Sequence, residues 1–233
     1  MSRLFRERVV VMLAPTQLLV GEKAIPCDPA FGAEPWQGAV QALRGIKLPK
    51  AKITVVLSNH FVRYALVPWS DALAGAAEEE AYVRHHFVRI HGERAKSWAL
   101  RCSEAPRGAP RLASAVDREL VEALKGACPG LASVQPWLMA AINRWRREIP
   151  PGGAWLLLAE REPERACIAL HARGAWRSVQ NAKGAWLDLL ERERHRAGGE
   201  VPDLVLLAGA RPGGGAPGWT FRALQPDAGL VNS

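Results

Sequence analysis

Apolar residues follow two rhythms along this chain, short β-branched runs and stripes spaced i, i+3, i+4, and together they predict an α/β protein. Val9-Val10-Val11-Met12-Leu13 and Gln17-Leu18-Leu19-Val20 are apolar runs separated by Ala14-Pro15-Thr16, which reads as a hairpin. Gly21-Glu22 reverses the chain again into Lys23-Ala24-Ile25. Glu34-Pro35 then opens a helix with Trp36, Ala39, Val40 and Leu43 inward, and Ile53-Thr54-Val55-Val56-Leu57 is a buried strand. The second half repeats this order. Trp155–Leu158 and Ala166–Leu170 form a hairpin, Arg173-Gly174 turns the chain, and Trp176–Val179 is a third strand. A helix from about Gly184 to Arg196, with Trp186, Leu189 and Leu190 inward, leads to the strand Leu204–Leu207. Strand, strand, strand, helix, strand therefore occurs twice, a likeness of pattern and not of sequence, so a duplicated architecture is expected.

Between the halves, Asn59–Pro68 alternates as a strand, and Ser70 or Asp71 is placed to cap a helix from about Leu73 to His91. Leu73, Ala76, Val83, Phe87 and Ile90 would share its inner face, with Glu78-Glu79-Glu80 at the positive end of its dipole. Trp98–Cys102 and Arg111–Val116 read as paired strands around the Pro/Gly-rich loop 105–110. Asp117 is placed to cap a helix over Arg118–Ala127, and Cys128-Pro129-Gly130 stops it. The strand Leu131–Gln135 precedes a helix carrying Leu138, Ala141, Ile142 and Trp145 at i, i+3, i+4 and i+7, with Arg144, Arg146 and Arg147 outward. Pro150-Pro151-Gly152-Gly153 marks the boundary between subdomains.

Composition narrows the class. With 233 residues, 48% hydrophobic and 23% charged, the chain is neither fibrous nor low in complexity and can bury a sizeable core. No apolar run approaches the roughly 18 to 20 residues a membrane span needs, and the charged opening lacks a signal-type stretch. Cys27, Cys102, Cys128 and Cys167 are scattered, which suggests buried thiols in a reducing compartment. A net charge of +8 invites nucleic acid, an anionic membrane or an acidic protein. The arginines are interleaved with acids, as in Glu191-Arg192-Glu193-Arg194, so a solvated basic surface is the simpler account, and nucleic-acid binding through Arg144–Arg147 stands as an alternative.

Candidate chemistry is sparse. His85, His86 and His91 stand one, five and six apart on one helix, whereas a helical metal site wants ligands three, four or seven apart. Adjacent Glu78, Glu79 and Glu80 point in different directions and make no paired-carboxylate site. Cys128 with distant His60 carries no signature of an activated thiolate. Most of the nine tryptophans fall at apolar phases, leaving Trp98 and Trp219 as surface anchors. Gly209, Gly213 and Gly214 follow a buried strand and could let backbone amides approach a phosphate. Their spacing fits neither GxGxxG nor GxxxxGK[ST], so they read as a surface turn with at most a vestigial nucleotide role.

The repeated unit resembles the plan of the actin-like (RNase H-like) fold, and the chain resembles the PilM, MshI and GspL-type cytoplasmic proteins of type IV pilus and type II secretion platforms. The residues that carry the likeness are Ile53-Thr54-Val55-Val56-Leu57-Ser58, Val62-Arg63-Tyr64-Ala65-Leu66-Val67-Pro68-Trp69, Phe87-Val88-Arg89-Ile90, Leu112-Ala113-Ser114-Ala115-Val116-Asp117 and Val134-Gln135-Pro136. The resemblance implies duplicated mixed sheets with helices, a first lobe over 1–150 containing a small α+β insertion at about 70–116, and a second lobe over 151–233. Some members of that group bind ATP through two phosphate hairpins, the first tipped by Asp and Gly. Here the first tip is Ala14-Pro15-Thr16 and the second is Glu160–Arg165, containing Pro163 and no Gly. Only Gly209 and its followers match the terminal glycine turn. A degenerate site without cofactor or catalysis is therefore expected, with active ATP binding through Gly209–Gly215 as the alternative. The implied role is a cytoplasmic scaffold, held at the inner membrane through a partner, that docks a segment of a membrane-bound platform protein and contacts the assembly ATPase.

Overall fold

Alternation along the first strand, β1 (Arg8–Leu13), sets the layering of the molecule: Val11 and Leu13 enter one core and Met12 another, as a period of two requires. In the computed structural model, which describes residues 8–73, 75–161, 164–209 and 216–224, the chain continues through β2 (Gln17–Val20), β3 (Lys23–Pro26), α1 (Gln37–Arg44) and β4 (Lys52–Leu57). An insertion follows, comprising β5 (Val62–Val67), α2 (Ala76–His91), β6 (Ala99–Cys102) and β7 (Arg111–Val116). Then come α3 (Arg118–Ala127), β8 (Leu131–Pro136) and α4 (Trp137–Trp145). The second half is β9 (Ala154–Glu160), β10 (Arg165–Ala172), β11 (Ala175–Lys183), α5 (Trp186–Ala197), β12 (Leu204–Ala208) and β13 (Thr220–Ala223).

The two large sheets are built alike. Their orders are β3-β2-β1-β4-β8 and β11-β10-β9-β12-β13. In each, an antiparallel meander leads through a helix to a strand parallel to the first, and one more parallel strand follows outside it. The duplicated pattern read along the chain is thus a duplicated topology. The edge strand β13 carried no signal in that reading, because Thr220–Ala223 is short and mostly exposed.

Helices α1 and α3 cover the outer face of the first sheet, packing Val40, Leu43, Leu120 and Leu124 on Val11, Ile53, Val55 and Leu57. Helix α5 covers the outer face of the second, with Leu189 and Leu190 on Trp155, Leu157, Ile168 and Val205. Between the sheets lies a core common to both halves: Met12 and Val56 from the first, Leu156, Leu158, Cys167 and Leu206 from the second, and Trp137, Leu138, Ala141 and Trp145 of α4. The lobes are therefore joined by shared apolar burial, worth roughly 25 cal/mol per Å² removed from water.

The insertion folds around its own sheet, β5-β7-β6, against which α2 packs Val83 and Phe87. Its first strand, Val62–Val67, precedes the 70–116 stretch assigned to it from sequence. Other expectations need correction. Helix α2 starts at Ala76 after Gly75 and has no side-chain cap. Ser70 Oγ instead accepts from the Ala72 amide, and Asp71 Oδ1 accepts from Trp69 Nε1 and Arg107 Nη2. Ala76 and Ile90 are exposed, so the helix buries a narrower stripe than its apolar residues suggest. Asp117 begins α3 without capping it; Oδ2 accepts from Trp36 Nε1, tying α3 to the start of α1. Trp98 and Trp219 are buried. The first stacks edge-on to Phe87 and the second edge-on to Trp155. Cys102 is exposed while the other three cysteines are buried.

Candidate functional site

In the second lobe, β9 runs straight into its hairpin tip, and its final residue, Glu160, is directed away from solvent, 7% exposed. A buried carboxylate needs hydrogen-bond donors to offset its lost hydration. They come from the first lobe. Ser58 and Asn59, both fully buried, follow β4 in a turn. Ser58 Oγ donates to Glu160 Oε2, and the Asn59 amide donates to Oε1 at 2.8 Å. The turn is fixed in place: the Ser58 amide donates to the Leu13 carbonyl at 2.9 Å, the Phe61 amide to the Ser58 carbonyl at 3.0 Å, and the His60 amide to Ser58 Oγ at 3.1 Å.

A second set of contacts continues this seam. Asn181 of β11 donates from Nδ2 to the carbonyls of Asn59 at 2.8 Å and Val62 at 3.0 Å. Arg165, opening β10, donates from Nη1 to Asn181 Oδ1 at 3.1 Å and from Nε to His60 Nδ1 at 3.4 Å. Tyr64 OH donates to Asn59 Oδ1 at 3.1 Å and accepts the Leu138 amide at 3.4 Å. Burial pushes the Glu160 carboxyl above its ordinary value, against the opposing pull of the Ser58 hydroxyl, the Asn59 amide and Arg165. Among the described residues, the buried donors Asn59 Nδ2 and Trp137 Nε1 have no hydrogen-bond partner.

Below this polar seam the space between the sheets is apolar. Trp137, 1% exposed, lies among Met12, Val56, Leu158 and Ala208 from the strands of both sheets. Gly209 follows β12 here with φ +80°. A Cβ at that position would run into the Ala159 carbonyl and reach the Trp137 ring at 3.0 Å, so a close backbone approach alone accounts for glycine. Gly213 and Gly214, the other residues of the sequence-derived nucleotide turn, lie outside the described residues, as do residues 162 and 163 of the second hairpin tip. At the first tip, the Ala14 amide donates to the Gln17 carbonyl and the Thr16 carbonyl accepts from Cys27, which closes the turn on itself.

An open feature lies elsewhere, between the insertion and the first lobe. It is a groove of about 830 Å³. Its walls are β6 and β8, each the edge of its sheet, and an edge strand presents unpaired main-chain groups. Ion pairs occupy its acids: Arg111 grips Glu79 through Nη1 and Nη2 at 2.6 and 3.1 Å, and Arg84 holds Glu80 at 2.7 Å. Arg101 and Arg118, which also line it, have no carboxylate partner among the described residues. The sequence pointed to neither the groove nor the seam. His91 serves packing, its ring 6.0 Å from Phe87 and 5.2 Å from Trp98, and Cys128 is a buried thiol that burial pushes up.

No protein-family profile matches the chain, and no curated protein is detectably similar in sequence. Solved structures are similar in shape. The cytoplasmic domain of EpsL, an inner-membrane component of the Vibrio cholerae type II secretion system, superposes with a TM-score of 0.62 at 14% identity, covering 96% of this chain and 92% of that one. A Bacteroides thetaiotaomicron protein with an actin-like ATPase fold and unknown function gives 0.57 at 9% identity, over 88% of this chain and 82% of its own. The fold is actin-like. A chain of a PilM–PilN type IV pilus biogenesis complex gives 0.53 at 19% identity, over 82% of this chain and 65% of that one. The actin-like resemblance read from the repeated unit is thereby borne out as a fold, with a three-stranded insertion between β4 and β8.

Proposed function

We propose that this actin-like protein is a non-catalytic scaffold of a bacterial type IV pilus or type II secretion inner-membrane platform, docking a segment of a membrane partner and the assembly ATPase. The observation that carries the reading is the filled space between the lobes. Phosphoryl chemistry requires donors and a cation aimed at a nucleotide. In this protein the buried Ser58 hydroxyl and Asn59 main-chain amide are engaged by Glu160 and the adjoining volume is occupied by Trp137. The cytoplasmic domain of EpsL and a chain of the PilM–PilN complex, whose fold it shares, come from secretion and pilus machines, and that supports the choice of machine. No described helix is long and apolar enough to cross a membrane; in this reading the membrane partner supplies the attachment.

The groove between β6 and β8 is the docking surface this reading favours, because an extended segment could add a strand at either edge. Two measurements on the full chain test it. Calorimetric titration with MgATP should give no saturable binding, and tight binding with turnover would overturn the scaffold reading. The cytoplasmic segment of the pilus or secretion inner-membrane protein from the same cell should bind saturably, and Ala132→Trp, which fills the groove from β8, should abolish that binding. Unaltered binding by the variant would move the docking surface elsewhere.

A further inference from the structure

We propose that Glu160 is a latch between the lobes: its carboxylate, carried on the second lobe, is the resident ligand of an oxyanion site built by the first lobe's Ser58–Asn59 turn, so that parting the lobes and releasing Glu160 are one event. This does not rest on the scaffold reading. The donors belong to one lobe and the acceptor to the other, and all three residues are at least nine-tenths buried. Each carboxylate oxygen has its own donor, a two-pronged grip that fixes orientation as well as distance. The site exists without the ligand, since the Leu13 carbonyl, the Phe61 amide and the His60 amide hold the turn from within the first lobe.

Breaking this contact strands both sides. Glu160 would be left as a buried carboxylate without donors, and Ser58 Oγ and the Asn59 amide as buried donors without an acceptor. Neither loss is recovered unless water enters, and water enters only when the lobes separate. The contact therefore switches between fully made and fully broken. Arg165 and Asn181 bind the same 59–62 stretch from the same lobe as Glu160, so they leave with it. A free oxyanion must displace a tethered one that is always present at high effective concentration. Once vacated, the site has the chemistry to accept a small carboxylate.

Amide exchange on the full chain, read residue by residue, tests the latch. In Glu160→Ala and in Ser58→Ala, exchange at the Asn59 amide should accelerate about tenfold or more, the scale of a lost charge-assisted hydrogen bond. The double variant should exchange no faster than Glu160→Ala alone, because one contact cannot be broken twice. Amides in the centres of β9 and β12 should keep their protection. Added acetate should slow Asn59 exchange in Glu160→Ala, whereas chloride at equal concentration should not. If Glu160→Ala does not fold, Glu160→Met, which fills the space without an oxygen acceptor, and Ser58→Ala carry the same comparison. Asn59 exchange unchanged from the parent chain, or effects that multiply in the double variant, would overturn the proposal.

Discussion

At the scale of single residues, Glu160 is where chain chemistry and fold meet most directly. Burial raises its carboxyl above the ordinary value of 4.5, so the folded protein holds that proton more tightly than the unfolded chain does. Stability from this group is therefore greatest below the ordinary carboxylate range and falls as pH rises from there through the raised value. Glu160→Gln should remove this component. The difference in urea midpoint between parent and variant, followed upward from about pH 4, should shift steadily against the parent, and a flat difference would contradict the burial of the charge. Glu79 behaves in the opposite sense, because Arg111 holds its carboxyl down; comparing parent and variant at each pH cancels it. Sequence alone marked Glu160 only as the end of a glycine-free hairpin tip. Its partners lie about a hundred positions away along the chain, and no local pattern encodes a contact at that separation. Gly209 was legible as a turn, but its reason, the adjacent Ala159 carbonyl, was not.

Elements show the same division between local and distant causes. The stripe Leu138, Ala141, Ile142 and Trp145 identified α4 correctly because its spacing is intrinsic to a helix, and all but the half-buried Ile142 are buried. Trp137 escaped that reading, since it stands outside the stripe and is buried only by the convergence of both sheets. Trp137→Ala should cost about 3 to 5 kcal/mol in chemical unfolding, the range for an emptied aromatic site. Trp137→Phe should cost much less. It keeps most of the ring and deletes a buried N–H that has no hydrogen-bond partner among the described residues and whose burial carries a penalty of about 1 to 3 kcal/mol. Helix α2 illustrates the converse. Its apolar residues predicted a wide inner face and Ser70 or Asp71 a side-chain cap, yet Asp71 is engaged by Trp69 and Arg107, and Ile90 remains 56% exposed.

Across the whole molecule, the duplication was the most legible feature, because each unit repeats the same strand and helix periods. How the units join was not, since the common core draws on eight strands and α4 at once. That core forbids independent lobes. Urea unfolding should therefore be a single transition, with tryptophan fluorescence and far-ultraviolet circular dichroism coinciding. Separate midpoints for the two probes would mean that the shared core contributes little. The placement of β8 adds a demand on the order of assembly. This strand completes the first sheet by pairing Thr54–Leu57 of β4 with residues 133–136, across the entire insertion. As the chain leaves the ribosome, β4 emerges with one side bare, and the insertion's own sheet is finished at Val116 before the missing neighbour is made. The insertion thus occupies the interval as a self-contained unit, keeping its sticky strands from the waiting edge until the right one arrives.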